Sequence, residues 1–312
     1  MGMATHTGLR RRHPSVGYQL NGLFKANRDG SFGTQRKRVQ VLRKLYADLR
    51  EDGYLLKCIG NLKLKHIERS VTSWKVAGLT TGEMKTRLSF VRWLCFKIGK
   101  PDMVSDWNID LGLERRANSG EDKAWRAEGS AELLADVHGR SPRLALQMKL
   151  MEQFGLRFRE AATLQPHGND LGAELAVVNG TKGGRKRRVA IFSTSQRRVL
   201  DEARAFAGKG ASMIPLGMTF EAWRRQADGI AAAVGLSKDT RTNYHALRHR
   251  WAQNRYKGLT GFLAPCRMTA SERAAATPEM VQRDREARQV VALELGHGRT
   301  EVCRHYLGSP LR

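Results

Sequence analysis

Acidic residues are scarce in this chain. Only 30 Asp and Glu stand against 55 Lys and Arg among 312 residues, for a formal net charge of +25. Such an excess opposes self-association and favours polyanions, because each phosphate neutralised by a cation releases condensed counterions. Cysteine is equally sparse. Cys58, Cys95, Cys266 and Cys303 are scattered, with no CxxC pair and no histidine at zinc spacing. That excludes a disulfide framework or zinc finger and leaves reduced, mostly buried thiols. No apolar run approaches the ~18 residues of a membrane span, and the N-terminus lacks a signal-peptide core, so a soluble, cytoplasmic, nucleoid-associated protein is expected. A Walker lysine motif, clustered DxD and HExxH are also missing, so no metal, nucleotide or other cofactor is expected. What is present in quantity is apolar residue, 41% of the chain, enough for two packed cores.

The chain reads as mainly α with one small β-hairpin, an α+β arrangement in two domains. Residues 1–33 carry Arg10, Arg11 and Arg12, then Pro14 and glycines at 17, 22, 30 and 33, with little apolar periodicity. They read as a basic flexible arm, or else as a short helix in which Leu20, Leu23 and Phe24 dock elsewhere. Residues 34–112 read as a helical DNA-binding domain. Leu42, Leu45, Tyr46 and Leu49 mark one helix, amid Arg36, Lys37, Arg38, Arg43 and Lys44 as candidate DNA contacts. Leu64, Ile67, Val71 and Trp74 mark a second. Thr80 and Glu83 form a capping-box spacing for a third, which Gly99 ends and Pro101 cannot extend. Trp74 and Trp93 read as core. Residues 113–130 are polar and of mixed charge, a linker signature.

The second domain spans 131–312. Ser141-Pro142 opens a helix that runs to the Gly155-Leu156-Arg157 turn, and a second helix starts at Phe158. Two short strands follow, 174–178 and 188–192, separated by the turn Gly180-Thr181-Lys182-Gly183-Gly184-Arg185-Lys186. Helices are expected over 194–207, 219–234 and 245–256, and one beginning at Pro278 closes at Gly296.

Within this domain lies an ordered set of polar groups. His245 and Arg248 stand three apart, on one face of a helix, where the arginine can grip a phosphate oxygen and the histidine can bond the same phosphate or exchange a proton. Arg157 offers a second guanidinium, needed because a pentavalent transition state gathers negative charge on its equatorial oxygens. Glu160 lies where it can orient an arginine. Lys182, in a glycine-flanked turn, can protonate a leaving 5′ oxygen, with Lys186 as competitor. Arg185, Lys186, Arg187 and Arg188 are expected on backbone phosphates. His297 follows Gly296 and can bond the scissile phosphate. Tyr306 can attack it, because a phosphotyrosyl ester conserves the bond energy. Each piece alone has a plainer reading: a solvated basic helix, a surface helix start, a basic hairpin, an aromatic anchor.

Taken in order, Gly155 to Glu160, the hairpin lysine, Tyr244-His245-Ala246-Leu247-Arg248-His249, Leu295-Gly296-His297 and Tyr306 resemble the tyrosine recombinases, the phage-integrase family. The resemblance covers about residues 141–308, and the helical domain resembles that family's core-binding domain. It implies a C-shaped clamp on double-stranded DNA and strand exchange by four protomers through a Holliday junction, with a directionality or architectural factor as a further partner. It also implies that Arg157, His245, Arg248 and His297 hold the phosphate, Lys182 is the general acid and Tyr306 forms a 3′-phosphotyrosyl link. Three features depart from the family pattern. Arg248 and His297 are 49 residues apart, about twice the usual separation, which suggests an insertion over about 258–288. Six residues follow Tyr306, little chain for docking into a neighbour. Thr181 stands where the family has a glycine neighbourhood. A type IB topoisomerase and a regulator that binds DNA without cutting it are the rival readings.

Overall fold

Among the described residues, the apolar spacing of the first domain folds into four α-helices, and its capping residues set their ends. The computed structural model describes residues 15–105, 111–113, 121–125 and 129–312. The chain forms two compact units, Met1–Ala117 and Asn118–Arg312. In the first, α1 (Val16–Ala26), α2 (Phe32–Glu51), α3 (Leu64–Val76) and α4 (Thr81–Lys97) surround one core. Leu42, Leu45 and Leu49 from α2 meet Ile67, Val71 and Trp74 from α3 and Leu88, Val91 and Leu94 from α4. Each fully buried leucine here contributes on the order of 2 kcal/mol. The Thr80–Glu83 box closes in both directions, Thr80 N–H to Glu83 Oε2 at 3.0 Å and Glu83 N–H to Thr80 Oγ1 at 3.3 Å.

Two expectations change here. The arm is not free through residue 33: Ser15 caps α1 and Leu20 is buried in the core, the docked alternative; residues 1–14, including Arg10 to Arg12, lie outside the described residues. Arg38 is also taken out of the DNA-facing set. It is buried, its guanidinium lies 4.0 Å over the Trp93 ring, and it pairs with Asp29 at 3.2 Å. A carboxylate and an aromatic face together stabilise it inside better than solvent does outside. Arg36, Lys37, Arg43 and Lys44 remain exposed.

The linker expected over 113–130 is built in at both ends. Leu113 belongs to the first core, and Trp125 is buried in the second, its backbone N–H donating to Ala246 O at 3.0 Å. Residues 114–120 and 126–128 lie outside the described residues.

The second unit is built on α6 (Pro142–Phe154), preceded by α5 (Ser130–Arg140). Leu144, Leu146, Met148, Leu150 and Phe154 are all buried, so α6 is apolar nearly all round and sits at the centre. Around it run α7 (Phe158–Thr163), α8 (Pro166–Asn169), α9 (Thr194–Phe206), α10 (Phe220–Ala233), α11 (Tyr244–Thr260), α12 (Ala270–Ala274), α13 (Pro278–Glu294) and α14 (Arg304–Leu307). The hairpin pairs β1 (Glu174–Val177) with β2 (Arg187–Ala190), antiparallel, Val177 opposite Arg187 and Glu174 opposite Ala190. The strand expected at 188–192 thus starts one residue earlier and stops at Ala190. The segment expected as an insertion holds the end of α11, a 3-10 turn at Pro265–Arg267, α12 and most of α13.

Candidate active site

Four local structures deliver side chains to one place. The first is the break between α6 and α7. Gly155 ends α6 in the left-handed conformation, and Arg157 sits at the cap of α7 with extended backbone. Glu160 reaches back to accept from both the Arg157 N–H and its Nη1, each at 2.7 Å. Arg157 keeps part of its guanidinium in solvent, while the Glu160 side chain is sealed.

The second is α11, where Asn243 Oδ1 caps the helix by accepting from the His245 and Ala246 N–H groups. His245 is exposed, and Arg248, one turn on, is completely buried. Arg248 donates to the carbonyls of Gly155 and Leu295, the latter at 2.5 Å, and stands 3.7 Å from Glu160. The third is the end of α13, closed by a left-handed Gly296. The His297 N–H bonds Ala292 O at 2.8 Å and the Gly296 N–H bonds Leu293 O at 2.9 Å, a Schellman pair that aims the His297 ring at Arg248. His297 Nε2 lies 3.4 Å from Arg248 Nη2.

The fourth is α14, which buries Tyr306 in this cluster. Arg248 Nε donates to the Tyr306 hydroxyl at 3.2 Å. Three imidazoles surround the phenol ring, with centroid distances of 4.6 Å to His249, 5.7 Å to His297 and 5.8 Å to His245. The backbone of α14 is held as well: Gln253 Nε2 donates to Tyr306 O at 3.2 Å. Sequence reasoning gave His249 no role beyond its place in the motif and passed over Gln253; both follow Arg248 on the buried side of α11, where α11 is polar yet enclosed.

Lys182 is exposed in the hairpin turn. That turn rests on the end of α7, for a Cβ at Gly180 would stand 2.6 Å from Thr163 Oγ1 and 2.8 Å from Arg159 O. The Lys182 ammonium is among the charges that act on His297. Lys186, Arg185 and Arg188 are exposed too, Arg188 pairing with Glu174 at 3.1 Å. Arg187 is the correction. It alternates with Val189 on the inner face of β2, and its side chain is buried among Glu160 and the end of α13 rather than on a phosphate-facing surface. Strand period carried that signal; the run of four basic residues masked it.

The cluster is strongly cationic. Arg157, Arg187 and Arg248 face a single carboxylate, Glu160. Burial works to raise the Glu160 pKa, but the Arg187 hydrogen bonds and the charges of Arg187 and Arg248 prevail and hold it at about 2. Burial, with Arg157 and Arg187, pushes Arg248 down to about 10, so it stays charged at neutral pH. Desolvation, then Arg248 and Arg157, lowers the half-buried His297 to about 4 and lowers the more exposed His245 in the same direction. The two imidazoles are therefore neutral at pH 7, each with one donor and one acceptor nitrogen. Among the described residues no group of three His, Cys, Asp or Glu is arranged to hold a metal ion.

A family model described as Integrase matches residues 112–254, and one described as Phage integrase, N-terminal, matches residues 15–104. No curated protein matches the chain. Solved structures do. The integrase of the Tn1549 transposon, in complex with circular intermediate DNA, is 14% identical with a TM-score of 0.57, over 94% of this chain and 95% of that one. The XerH site-specific recombinase, bound to a palindromic difH substrate, is 18% identical with a TM-score of 0.59, over 93% and 80%. A lambda integrase tetramer bound to a Holliday junction is 15% identical with a TM-score of 0.58, over 93% and 76%. At these identities the likeness is one of fold.

Proposed function

The chain belongs to the phage-integrase family of tyrosine recombinases, and we propose that it cleaves and rejoins DNA by carrying the scissile phosphate on Tyr306. The observation that carries this reading is the 3.2 Å bond from Arg248 Nε to the Tyr306 hydroxyl, which puts the nucleophile and the phosphate clamp on one guanidinium. In the free protein the phenol occupies a donor that the substrate needs. An entering phosphate takes over the Arg248 and Arg157 donors, and the released phenol oxygen turns to phosphorus. The new bond is a 3′-phosphotyrosyl ester, formed as the phenol proton passes to a neutral imidazole beside the ring; the bond that breaks is to the 5′ oxygen, which takes its proton from Lys182. Arg157 and Arg248 oppose the charge gathering on the non-bridging oxygens, with the neutral His245 and His297 bonded to the same group. Attack by a 5′ hydroxyl on the ester reverses the step on a new strand. Neither metal nor nucleotide takes part.

Four copies act on paired sites, in the manner of the lambda integrase tetramer, and the exposed Arg36, Lys37, Arg43, Lys44, Arg185, Lys186 and Arg188 bear on the DNA backbone. A directionality or architectural factor joins them where the direction of exchange is regulated.

The test is a library of nicked DNA duplexes, which trap the covalent state, incubated with the protein in chelator and with Tyr306→Phe as control. The expected result is adducts mapped to Tyr306, absent in the control and confined to one family of sites. Relaxation of any plasmid without site preference identifies a topoisomerase instead. Tight, salt-sensitive binding with no adduct identifies a regulator.

A further inference from the structure

Arg187 has a place in this site that its neighbours in the basic run do not share. Its side chain is 4% exposed. Nη1 donates to Glu160 Oε1 at 2.8 Å and Nη2 to Glu160 Oε2 at 2.7 Å, a bidentate pair, while Nε donates to Glu294 O at 2.6 Å. All three nitrogens are engaged inside the protein.

Each partner leads to a different functional group. Glu160 holds Arg157 through two bonds and faces Arg248. Glu294 immediately precedes Leu295, whose carbonyl accepts from Arg248. Gly296 comes next, and a Cβ there would stand 3.0 Å from Arg187 Cδ and 3.3 Å from its Nη1, so the arginine lies flush against the turn that presents His297. At its own end, β2 leads straight from the turn of Lys182.

We propose that Arg187 is a positioning residue for DNA cleavage: it holds the Glu160 carboxylate in the geometry that aims Arg157 and Arg248, and ties the Lys182 hairpin to the His297 turn. The proposal rests on the reading of Tyr306 as nucleophile. A space-filling role needs no matched fork on both carboxylate oxygens. A DNA contact would not need the guanidinium turned inward onto Glu160 and Glu294 O.

Charge gives the proposal a distinctive consequence. The charged groups around Glu160 are Arg157 at the start of its own helix, Arg187 from β2 and Arg248 from α11, with His297 and Lys182 beyond Arg187. Burial alone raises the Glu160 pKa, and Arg187 supplies the first of the opposing effects. Without Arg187, burial regains weight and Glu160 takes up a proton at a pH where the wild-type residue stays ionised. A protonated Glu160 then releases its hold on the two phosphate-binding arginines.

The experiment compares wild type, Arg187→Gln and Arg187→Lys in single-turnover cleavage of a nicked substrate at saturating DNA, from about pH 5 to about pH 8.5. Arg187→Gln is expected to cleave about 100-fold more slowly at neutral pH, to bind DNA within about threefold of wild type, and to gain an acid limb that wild type lacks. Arg187→Lys, which keeps the charge as a point donor, is expected to recover about tenfold of that loss. A loss of equal size at every pH with no recovery by lysine would mark a space-filler, and a loss confined to affinity would mark a DNA contact; either overturns the proposal. If Arg187→Gln does not fold, Arg187→Lys decides alone: a wild-type cleavage rate there at every pH would show that the bidentate fork is not needed and overturns the proposal. Carboxyl carbon NMR of Glu160 in the wild type and the folded variant reads the same change without any cleavage, so absence of adducts from wild type would sink the nucleophile reading while this titration still decides the role of Arg187.

Discussion

Two buried carboxylates in the second unit, Glu160 and Asp284, each hold arginines, and they do different work. Both are about 1% exposed. Glu160 faces three guanidiniums from three elements, so its neighbourhood keeps a surplus of positive charge beside the cleft. Asp284 on α13 faces one, Arg288, with Nε 2.9 Å from both carboxylate oxygens. Its other partners are neutral donors, the Tyr256 hydroxyl at 2.6 Å and the Leu311 N–H at 3.3 Å. Arg288 in turn donates to Gly308 O at 3.0 Å and Ser309 O at 3.2 Å. The charge-balanced pair therefore grips the backbone just beyond Tyr306, whereas the unbalanced cluster projects its field at the place where phosphate binds. The number of arginines per carboxylate separates an electrostatic device from a mechanical one.

Substitutions should keep that division. Arg157→Ala removes the part of the surplus that reaches solvent, and cleavage at saturating DNA should fall about 1,000-fold while thermal stability changes little. A matching fall in melting temperature would erase the distinction between the two clusters. Asp284→Asn should do the reverse. It leaves Arg288 buried without a counter-charge and should cost about 3 kcal/mol or more in denaturant melts, with DNA affinity of the folded protein retained. A variant as stable as wild type would show that Asp284 is not the anchor its contacts describe.

The sequence disclosed one cluster far better than the other. Arg157, His245, Arg248, His297 and Tyr306 could be read because each lies in a short motif with a chemical reason for its spacing, and the structure brings all five together. Glu160 could be read as an orienting group because it follows Arg157 at a helix start. Arg187 and Arg38 could not, because composition assigns basic residues to the surface and only their partners, Glu160 and Asp29, draw them in. Asp284 and Arg288 are four apart on α13 and look like any exposed helical pair. What distinguishes them is Tyr256, 28 residues earlier, and the tail, 20 and more residues later. The same blindness to distant partners hid the docking of Trp125, whereas that of α1 was one of the two readings left open by Leu20, Leu23 and Phe24. Local rules locate helices and caps, while burial of a charge is settled by groups remote in sequence.

A smaller effect is expected from the tail itself. Leu311 is buried and its N–H completes the Asp284 cluster. Leu311→Ala should cost about 2 kcal/mol, the low end for a buried leucine. If the Asp284 cluster positions Tyr306 as well as stabilising the fold, cleavage should also slow by about tenfold with DNA affinity unchanged. Loss of stability with a wild-type cleavage rate would confine the cluster to folding.

The smallest effect sits between the two clusters, at His249. Its ring is tilted against that of Tyr306, and its Nδ1 is buried without a hydrogen-bond partner among the described residues. Burial first, then His245, Lys123 and Arg248, against the opposing charge of Asp122, lower its pKa to about 3. The unfolded chain protonates this histidine near pH 6.5 and the folded one does not until about 3. Its neutral state therefore costs nothing above about pH 6.5, and as the pH falls from there toward about 3 the unfolded state gains a proton that the folded state refuses. Stability should drop with a slope of at most about 1.4 kcal/mol per pH unit from this residue. Urea melts of wild type and His249→Gln between about pH 4.5 and about pH 7 measure that slope. The variant should lose one proton's worth of it, leaving the part due to His245 and His297, whose pKa values are also lowered. Identical slopes in the two proteins would mean that His249 is protonated in the folded state, and that the ring against the nucleophile carries a charge rather than a neutral face.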